Sequence, residues 1–582
     1  MEQRLAAIEA SLAAIERRLD ALVTRLGEVE DCLAAQPPGR PAAAQPASDT
    51  ALPAAPRAVA DATGLLGLAG RSLIILGGAY LLRALTEGGT LPALVGVGTG
   101  LLYAFTWVLA GGRAARAHRG ADATFHAIVA TIVAFPLTVE ATVRFGFLDP
   151  LTSAVSLAAL SAPALSIAWY TRHQATAWCV TLGALGSAIA MIPMTGAVLP
   201  YAAFLLLLGL GTLWLGYDRD WTGLRWPVAF VADLVALGLV LRATSPEPRD
   251  PPAAVVTMLL ALVAGYLASF AGRTLVRGRN VIPFEVLQTM GALMVGLGGA
   301  VTVVSARGSG VASIGVISLL LAGGSYAVAF MFVGRRQGLG VNFYFYTSLA
   351  LVCTLVGLRL IAAPPAVALA AAALAAATTW LGTRLGRLAL TLHGAIYAAQ
   401  AVLASVLVAA ASAAYVGHDG DMAKVPSAIA LLTLAAAVGC ALAPRPADAA
   451  ASPAWGTGIR AVQALLAAWC GGGAAIAGAL ALATTVLGRP LPPNEVAVTR
   501  TVVLSLAALL LASAVRAGRL VGASRLAYLV LLITGGQVLF EDLSEAGPGL
   551  LVVAFATYGL ALIFVPRLAR HRPAPPPEPT AA

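Results

Sequence analysis

Residues 253–271 read AAVVTMLLALVAGYLASFA, a run of 19 residues without a single charge. Pro251 and Pro252 precede the run, and the next charged residue after it is Arg273. A helix rises about 1.5 Å per residue, so this run is about 28 Å long, close to the roughly 30 Å hydrocarbon thickness of a bilayer. The run predicts a transmembrane helix.

Similar apolar runs follow one another along most of the chain. They predict an all-α, polytopic transmembrane helical bundle of about 18 spans, because only helices and closed barrels satisfy their backbone groups in lipid. The predicted spans are 65–85, 91–110, 123–142, 151–170, 175–194, 199–216, 227–241, 253–271, 282–304, 311–333, 343–361, 365–382, 389–413, 425–443, 461–487, 496–515, 526–540 and 547–565.

Composition excludes the other broad classes of protein. Of the 582 residues, 59% are hydrophobic and 11% are charged, whereas a soluble domain carries about 25% charged residues. This excludes a soluble enzyme, a disordered chain and a secreted disulfide scaffold. The five cysteines include no C-x-x-C pair, which argues against a metal site. We therefore expect no cofactor.

The basic residues predict the orientation of the chain. Counted over alternate loops, with the adjoining span ends and the tail after the last span, one side of the membrane holds 21 Arg and Lys residues and the other holds nine. Basic loops stay on the cytoplasmic side, so we expect a multi-pass membrane protein with both termini cytoplasmic. The net charge of +10 belongs to this pattern, and no basic face with aromatic residues indicates binding to nucleic acid.

The chain outside the spans divides into three segments. Residues 1–35 predict a coiled coil, because apolar residues keep 3-4 spacing over four heptads: Leu5, Ile8, Leu12, Ile15, Leu19, Leu22, Leu26, Val29 and Leu33. We expect a homo-oligomer through residues 5–33, and a helix lying back on the membrane surface is the alternative. Residues 36–62 form an Ala/Pro-rich tether, 63–566 the membrane domain, and 567–582 a basic, Pro-rich, disordered tail.

Ionisable residues inside predicted spans are candidate functional groups, because each costs about 2.5–3.5 kcal/mol at mid-bilayer. Asp233 lies at the centre of 227–241 and could bind a cation or a proton, or pair with an Arg of another helix. His126 and Glu140 share one face of a span but lie about 21 Å apart along its axis. Because both are near the span ends, we favour side chains that reach the interface.

Three further polar residues lie in or at the start of predicted spans. Glu285 follows Pro283 in a first turn, where an acid suits the helix dipole, so helix capping is preferred over a role in transport. His393 and Gln400 are seven residues apart on one face, which favours a hydrogen-bonded pair, with a proton relay as the alternative.

Two predicted outside loops are acidic. Asp419 and Asp421 are weak candidates for a divalent cation, although a solvated loop is preferred. Glu541, Asp542 and Glu545 form a second acidic turn with the same interpretation. No nucleotide-binding, zinc-protease or serine-hydrolase motif is present in the sequence, so the sequence leans against an enzyme.

Three stretches resemble the family of large bacterial membrane proteins called domain of unknown function 2339. They are LIILGGAYLLRA at 73–84, with the Gly-rich GVGTG at 96–100 after it, and RHQATAW at 172–178 followed by LGALG at 182–186. The family's usual acidic residue after the basic one is His173 here. The resemblance implies the same plan of coiled coil, tether and membrane array in the bacterial cytoplasmic (inner) membrane, and it implies no site.

Three functions are compatible with the sequence. The first is a binding or scaffold component of the cell envelope, in contact with membrane lipids and oligomerised by its coiled coil. The second is a transporter or flippase for a lipid-like envelope precursor. The third, and the least favoured, is a membrane-embedded transferase acting on a lipid carrier.

Overall fold

A computed structural model describes residues 77–78, 81, 84–86, 88–308, 310–333, 340–417, 425–444, 453–517 and 523–569. The chain divides between Gly78 and Ala79 into two units, and the fold below is that of the second. The predicted coiled coil, the tether and the residues after 569 lie outside the described residues, as do Asp419 and Asp421. These features stay predictions.

Almost all of the described residues are helical, and no strand occurs among them. Fourteen of the helices are long and apolar enough to cross a membrane, so the chain is a multi-pass membrane protein whose described part is all-helical. They are α1 (Ala93–Arg116), α2 (Gly120–Val143), α3 (Pro150–Thr171), α4 (Gln174–Thr195), α5 (Leu199–Arg219), α6 (Arg225–Ala243), α7 (Pro252–Val276), α8 (Pro283–Ala306), α9 (Val311–Met331), α10 (Gly340–Ile361), α11 (Pro364–Leu385), α15 (Pro453–Leu487), α16 (Pro493–Arg516) and α18 (Pro548–Leu568).

The remaining predicted spans are shorter or broken. The run 389–413 forms α12 (Leu388–Ala404) and α13 (Leu407–Val416), which are bent by 69° where Val406 takes a left-handed φ of 60°. The helices α14 (Ala428–Leu442) and α17 (Ala523–Gln537) have 15 residues each. The first predicted span, 65–85, lies mostly outside the described residues. The count of 18 spans therefore stays a prediction.

Four helices contain or end in a π-helical turn, which inserts one residue into the helix and redirects the side chains after it. The turns are Gly272–Val276 in α7, Ala292–Leu297 in α8, Val328–Val333 at the end of α9 and Val538–Asp542 after α17. Three of them carry or adjoin residues that matter below: Arg273 in α7, Gly291 just before the turn of α8, and Glu541 with Asp542 after α17.

Small residues let the helices pack closely. At Gly296 an added Cβ would lie 2.8 Å from the carbonyl oxygen of Leu259, so the backbones of α7 and α8 nearly touch there. Neighbouring cores overlap along the chain: one runs from α2 to α6, the next from α5 to α9, and others from α10 to α15 and from α13 to α18. Close backbone approach of this kind is typical of helices that associate in lipid.

Candidate functional site: a polar network and a groove among helices α3 to α8

Glu285 is the centre of a buried polar network. It is the third residue of α8, and its Oε2 accepts the backbone N–H of Ile282 at 2.9 Å, which is the capping role that the sequence predicted. Its side chain is fully buried. Tyr217 of α5 donates to Oε1 at 2.5 Å, and Arg273 of α7 lies 3.1 Å from both carboxylate oxygens. Glu285 therefore joins three helices as well as capping its own.

Asp233 lies close to this network, one helical turn further into the membrane. Its Oδ1 accepts a hydrogen bond of 3.1 Å from Nε2 of Gln288, which is three residues after Glu285 on α8. An ion pair with an Arg was one of the two sequence interpretations, but the observed partner is a neutral amide. The other oxygen, Oδ2, faces bare backbone, since a Cβ added at Gly291 would lie 2.7 Å from it.

Aromatic and charged side chains meet where α3, α5 and α7 end. Trp169 of α3 donates through Nε1 to Oδ2 of Asp218 at 2.7 Å. Two guanidinium groups lie near the same carboxylate, Arg219 at 3.8 Å and Arg277 at 3.9 Å. They also stack on rings, Arg219 over Trp169 at 4.8 Å and Arg277 over Trp214 at 5.1 Å. One carboxylate is thus shared by two cations.

A groove of about 510 Å³ runs between α3 and α5 and ends at this cluster. Most of its wall is apolar, with Leu165, Phe204 and Leu208 along it, and Trp169, Trp214, Asp218 and Arg277 close one end. Leu207 lines the groove and is 62% exposed, so the groove is open on the side that we expect to face lipid. The sequence did not predict the groove, because its two walls belong to α3 and α5, which α4 separates in the chain.

His126 and Glu140 lie on α2, away from this network. The ring of His126 packs against Trp107 of α1, with ring centroids 5.1 Å apart. Glu140 is half-buried near the end of α2, as expected for a side chain close to the interface. The structure does not bring either residue to Asp233 or Glu285.

The predicted pairing of His393 with Gln400 is wrong. His393 is buried, and its Nδ1 lies 3.0 Å from the hydroxyl of Tyr326 on α9, which in turn lies 3.1 Å from the hydroxyl of Tyr397. Nε2 of Gln400 has no hydrogen-bond partner within the described part of the chain. His393 and Gln400 share one face of α12, but the His393 ring hydrogen-bonds to Tyr326 on α9 instead.

A second buried cluster, which sequence reasoning missed, joins α13, α16 and α17. Arg500 is 2% exposed and donates to the carbonyl oxygens of Ala414 and Gly417 and to Oε2 of Glu541. Thr501 donates to Oδ2 of Asp542 at 2.6 Å, and Asp542 is fully buried. The interpretation of Glu541 and Asp542 as a solvated turn is therefore wrong. The available signal was Arg500 itself, which lies inside the predicted span 496–515.

No family model matches the chain, and neither the curated proteins nor the solved structures contain a match. The described residues also hold no group of three His, Cys, Asp or Glu side chains placed to bind a metal ion. The polar network around Glu285 and the groove between α3 and α5 are therefore the features of the molecule that bear on its function.

Proposed function

We propose that this chain is a binding component of the bacterial inner membrane that holds a lipid-like amphiphile with an anionic head group. The observation that carries the proposal is the groove between α3 and α5, apolar along its length and closed by Trp169, Trp214, Asp218 and Arg277. Ligand sites commonly measure about 300–1,000 Å³ and combine apolar walls with a few polar groups. The groove, at about 510 Å³, matches that description.

The charged end of the groove favours an anion. Asp218 neutralises one of the two nearby guanidinium groups, so the cluster keeps one net positive charge. The Arg277 side chain is 43% exposed, which leaves donors available to an incoming phosphate. Arg binds phosphate through parallel N–H donors, and Trp side chains are common at membrane interfaces.

The orientation, the assembly and the family of the protein are proposed from the sequence. Arg219 and Arg277 belong to loops on the side that we propose is cytoplasmic, with both termini on the same side. Residues 5–33 would assemble the chain into a homo-oligomer and give it a scaffolding role, with membrane lipids as partners. Membership of the domain-of-unknown-function-2339 family is part of this proposal, resting on the stretches at 73–84 and 172–186.

A Trp placed in the groove tests the proposal. Gly211 lines the groove, and a Cβ there would have nothing within 4 Å, so Gly211→Trp fills the groove without forcing helices apart. Gly186→Trp on α4 is the matched control, since Gly186 is equally open and lies outside the groove.

The measurement is native mass spectrometry of the purified full chain with added phosphatidylglycerol or phosphatidylethanolamine. We expect phosphatidylglycerol to be retained by the parent and by Gly186→Trp, and retention by Gly211→Trp to fall at least tenfold. Equal retention of phosphatidylglycerol in all three proteins would show that the groove is not the site.

A flippase is the second candidate, because the groove and the intramembrane carboxyl of Asp233 lie on neighbouring helices. Vesicles containing the full chain and fluorescent phosphatidylglycerol distinguish the two functions. A flippase would expose inner-leaflet lipid to external dithionite, and Gly211→Trp would abolish that exposure. A binding component leaves the fluorescent lipid in its original leaflet.

A further inference from the structure

Asp233 lies deep in the membrane domain. It is the ninth residue of α6 (Arg225–Ala243), so at about 1.5 Å per residue it lies about 12 Å from the start of the helix and about 15 Å from its end. The side chains around it face outward: Phe230 and Leu234 on α6 are 63% and 49% exposed, and Leu287 and Met290 on α8 are 57% and 55% exposed. The carboxyl group is therefore next to the surface that faces lipid.

The ion pairs of the described residues leave Asp233 without a cation. Arg273, the one arginine of α7, pairs with Glu285, and Arg225 stacks on Phe284, with 4.9 Å from Cζ to the ring centroid. The polar contact of Asp233 is the amide of Gln288. One neutral donor does not compensate an ionised carboxylate in hydrocarbon.

The helices packed against α6 carry other titratable or charged groups, and each is either neutral or already paired. On α5, Tyr217, Asp218 and Arg219 lie at the Arg-rich end, and Tyr201, which donates to Ser153, lies at the other end. Tyr266 and Arg273 lie on α7. On α8 Glu285 is held by Arg273 and Tyr217. Tyr266 is fully buried, and its hydroxyl has no hydrogen-bond partner among the described residues.

We propose that Asp233 is a proton-binding site that faces lipid, occupied by a proton at neutral pH and exchangeable through the surface between α6 and α8. The geometry is compatible with both the protonated and the ionised carboxyl group. Gln288 donates to Oδ1, and Gly291, at the start of the π-helical turn of α8, leaves the space next to Oδ2 free of any side chain. Neutral Asp233 avoids the cost of burying a charge, and the amide of Gln288 lowers the cost of releasing the proton.

The site has a chemical signature that is separate from any transport or binding activity. A protonated carboxyl adds across one N=C bond of dicyclohexylcarbodiimide to give an O-acylisourea, and the acyl group then moves to nitrogen to give a stable N-acylurea. The carboxyl proton stays on the adduct and no group leaves, so Asp233 gains the mass of one reagent molecule. The reagent is apolar and reaches carboxyls from the lipid phase.

The experiment labels the full chain in vesicles between pH 5 and pH 9, with peptide mapping by mass spectrometry. We expect labelling at Asp233, falling about tenfold per pH unit once the carboxyl ionises, and no labelling of the buried, ion-paired Glu285. Asp233→Asn should remove the adduct. Gln288→Leu should extend labelling to higher pH, since the donor that favours the ionised form is gone.

Two results would overturn the proposal. Absence of the adduct at Asp233 throughout the pH range would show that the carboxyl is not protonated there or is not open to lipid. Suppression of labelling by NaCl at constant pH and ionic strength would assign the site to Na⁺ instead. Gly211→Trp should label like the parent, so the outcome is independent of the groove.

Discussion

Replacing Arg500 with Met tests whether the buried cluster among α13, α16 and α17 stabilises the fold. The guanidinium donates to Ala414 O at 2.8 Å, to Gly417 O at 2.6 Å and to Glu541 Oε2 at 2.6 Å. Met occupies a similar length of space and has no donor. In Arg500→Met both carbonyl oxygens lose a charged donor, and Glu541 keeps the amide of Gln537.

The expected loss of stability in Arg500→Met follows from the burial of the ion pair between Arg500 and Glu541. Removing one partner of a buried ion pair costs about 3–5 kcal/mol, because the other charge stays behind unpaired. Glu541 is 15% exposed and retains one donor, which points to the lower end of that range. We expect the free energy of unfolding to fall by about 3 kcal/mol, measured by tryptophan fluorescence during unfolding in mixed SDS and non-ionic detergent micelles.

A double variant separates the unpaired charge from lost packing. In Arg500→Met/Glu541→Gln the isolated charge is gone, so about 1–2 kcal/mol of the loss should return. Arg489→Met is the control: Arg489 forms an exposed pair with Glu495, and exposed pairs contribute little, so we expect no measurable change. If the double variant is no more stable than Arg500→Met, the electrostatic reasoning is refuted.

Two further predictions concern packing and pH. A Cβ at Gly473 would lie 2.5 Å from Cα of Ala411, so Gly473→Ala should lower the free energy of unfolding by about 1–3 kcal/mol through overpacking. Gly478 is the control, because a Cβ there meets nothing within 4 Å. Gly478→Ala should be neutral or stabilising in the same unfolding assay. Asp149 caps α3, and hydrogen bonds from the hydroxyl and backbone N–H of Thr152 hold the pKa of its carboxyl below the usual 3.8. Its stabilising effect is therefore complete above that usual value and disappears as the pH falls through the lowered pKa. The Tm of Asp149→Ala should lie below that of the parent at pH 7, with the gap closing in strong acid; a gap that widens on acidification would contradict this.

The sequence predicted most of the helices because a membrane span needs a long apolar run, and such a run is a local property. The sequence did not predict where a helix is bent or contains a π-helical turn. The bend at Val406 needs a left-handed φ at a β-branched residue, which is unfavourable locally. The residues on either side are held by distant parts of the chain, since Ser405 hydrogen-bonds to Thr433 of α14 and Leu407 is buried. The four π-helical turns likewise follow no run of residue types, since inserting one residue depends on what the neighbouring helices require.

The site was predictable in part. Asp233 and Glu285 were found as acids inside apolar runs, and Glu285 was placed correctly in a first turn. Their partners could not be predicted, because Gln288 faces Asp233 and Tyr217 faces Glu285 only after α5, α6 and α8 pack together. His393 shows the same limit, since spacing along one helix identified a neighbour on that helix while the actual partner lies on another.

The two acids differ in a way that sequence position alone does not explain. Glu285 is fully buried yet has an Arg, a Tyr hydroxyl and a backbone N–H as donors, so its negative charge is compensated where the helix begins. Asp233 is less buried and has one amide. Burial of a carboxylate in lipid is therefore compatible with ionisation when donors converge on it, whereas a carboxyl with one neutral donor has no cation to compensate a negative charge. This contrast makes Glu285 the matched reference for Asp233: if both carboxyls reacted alike with the apolar carbodiimide, the difference in donors would not control their charge.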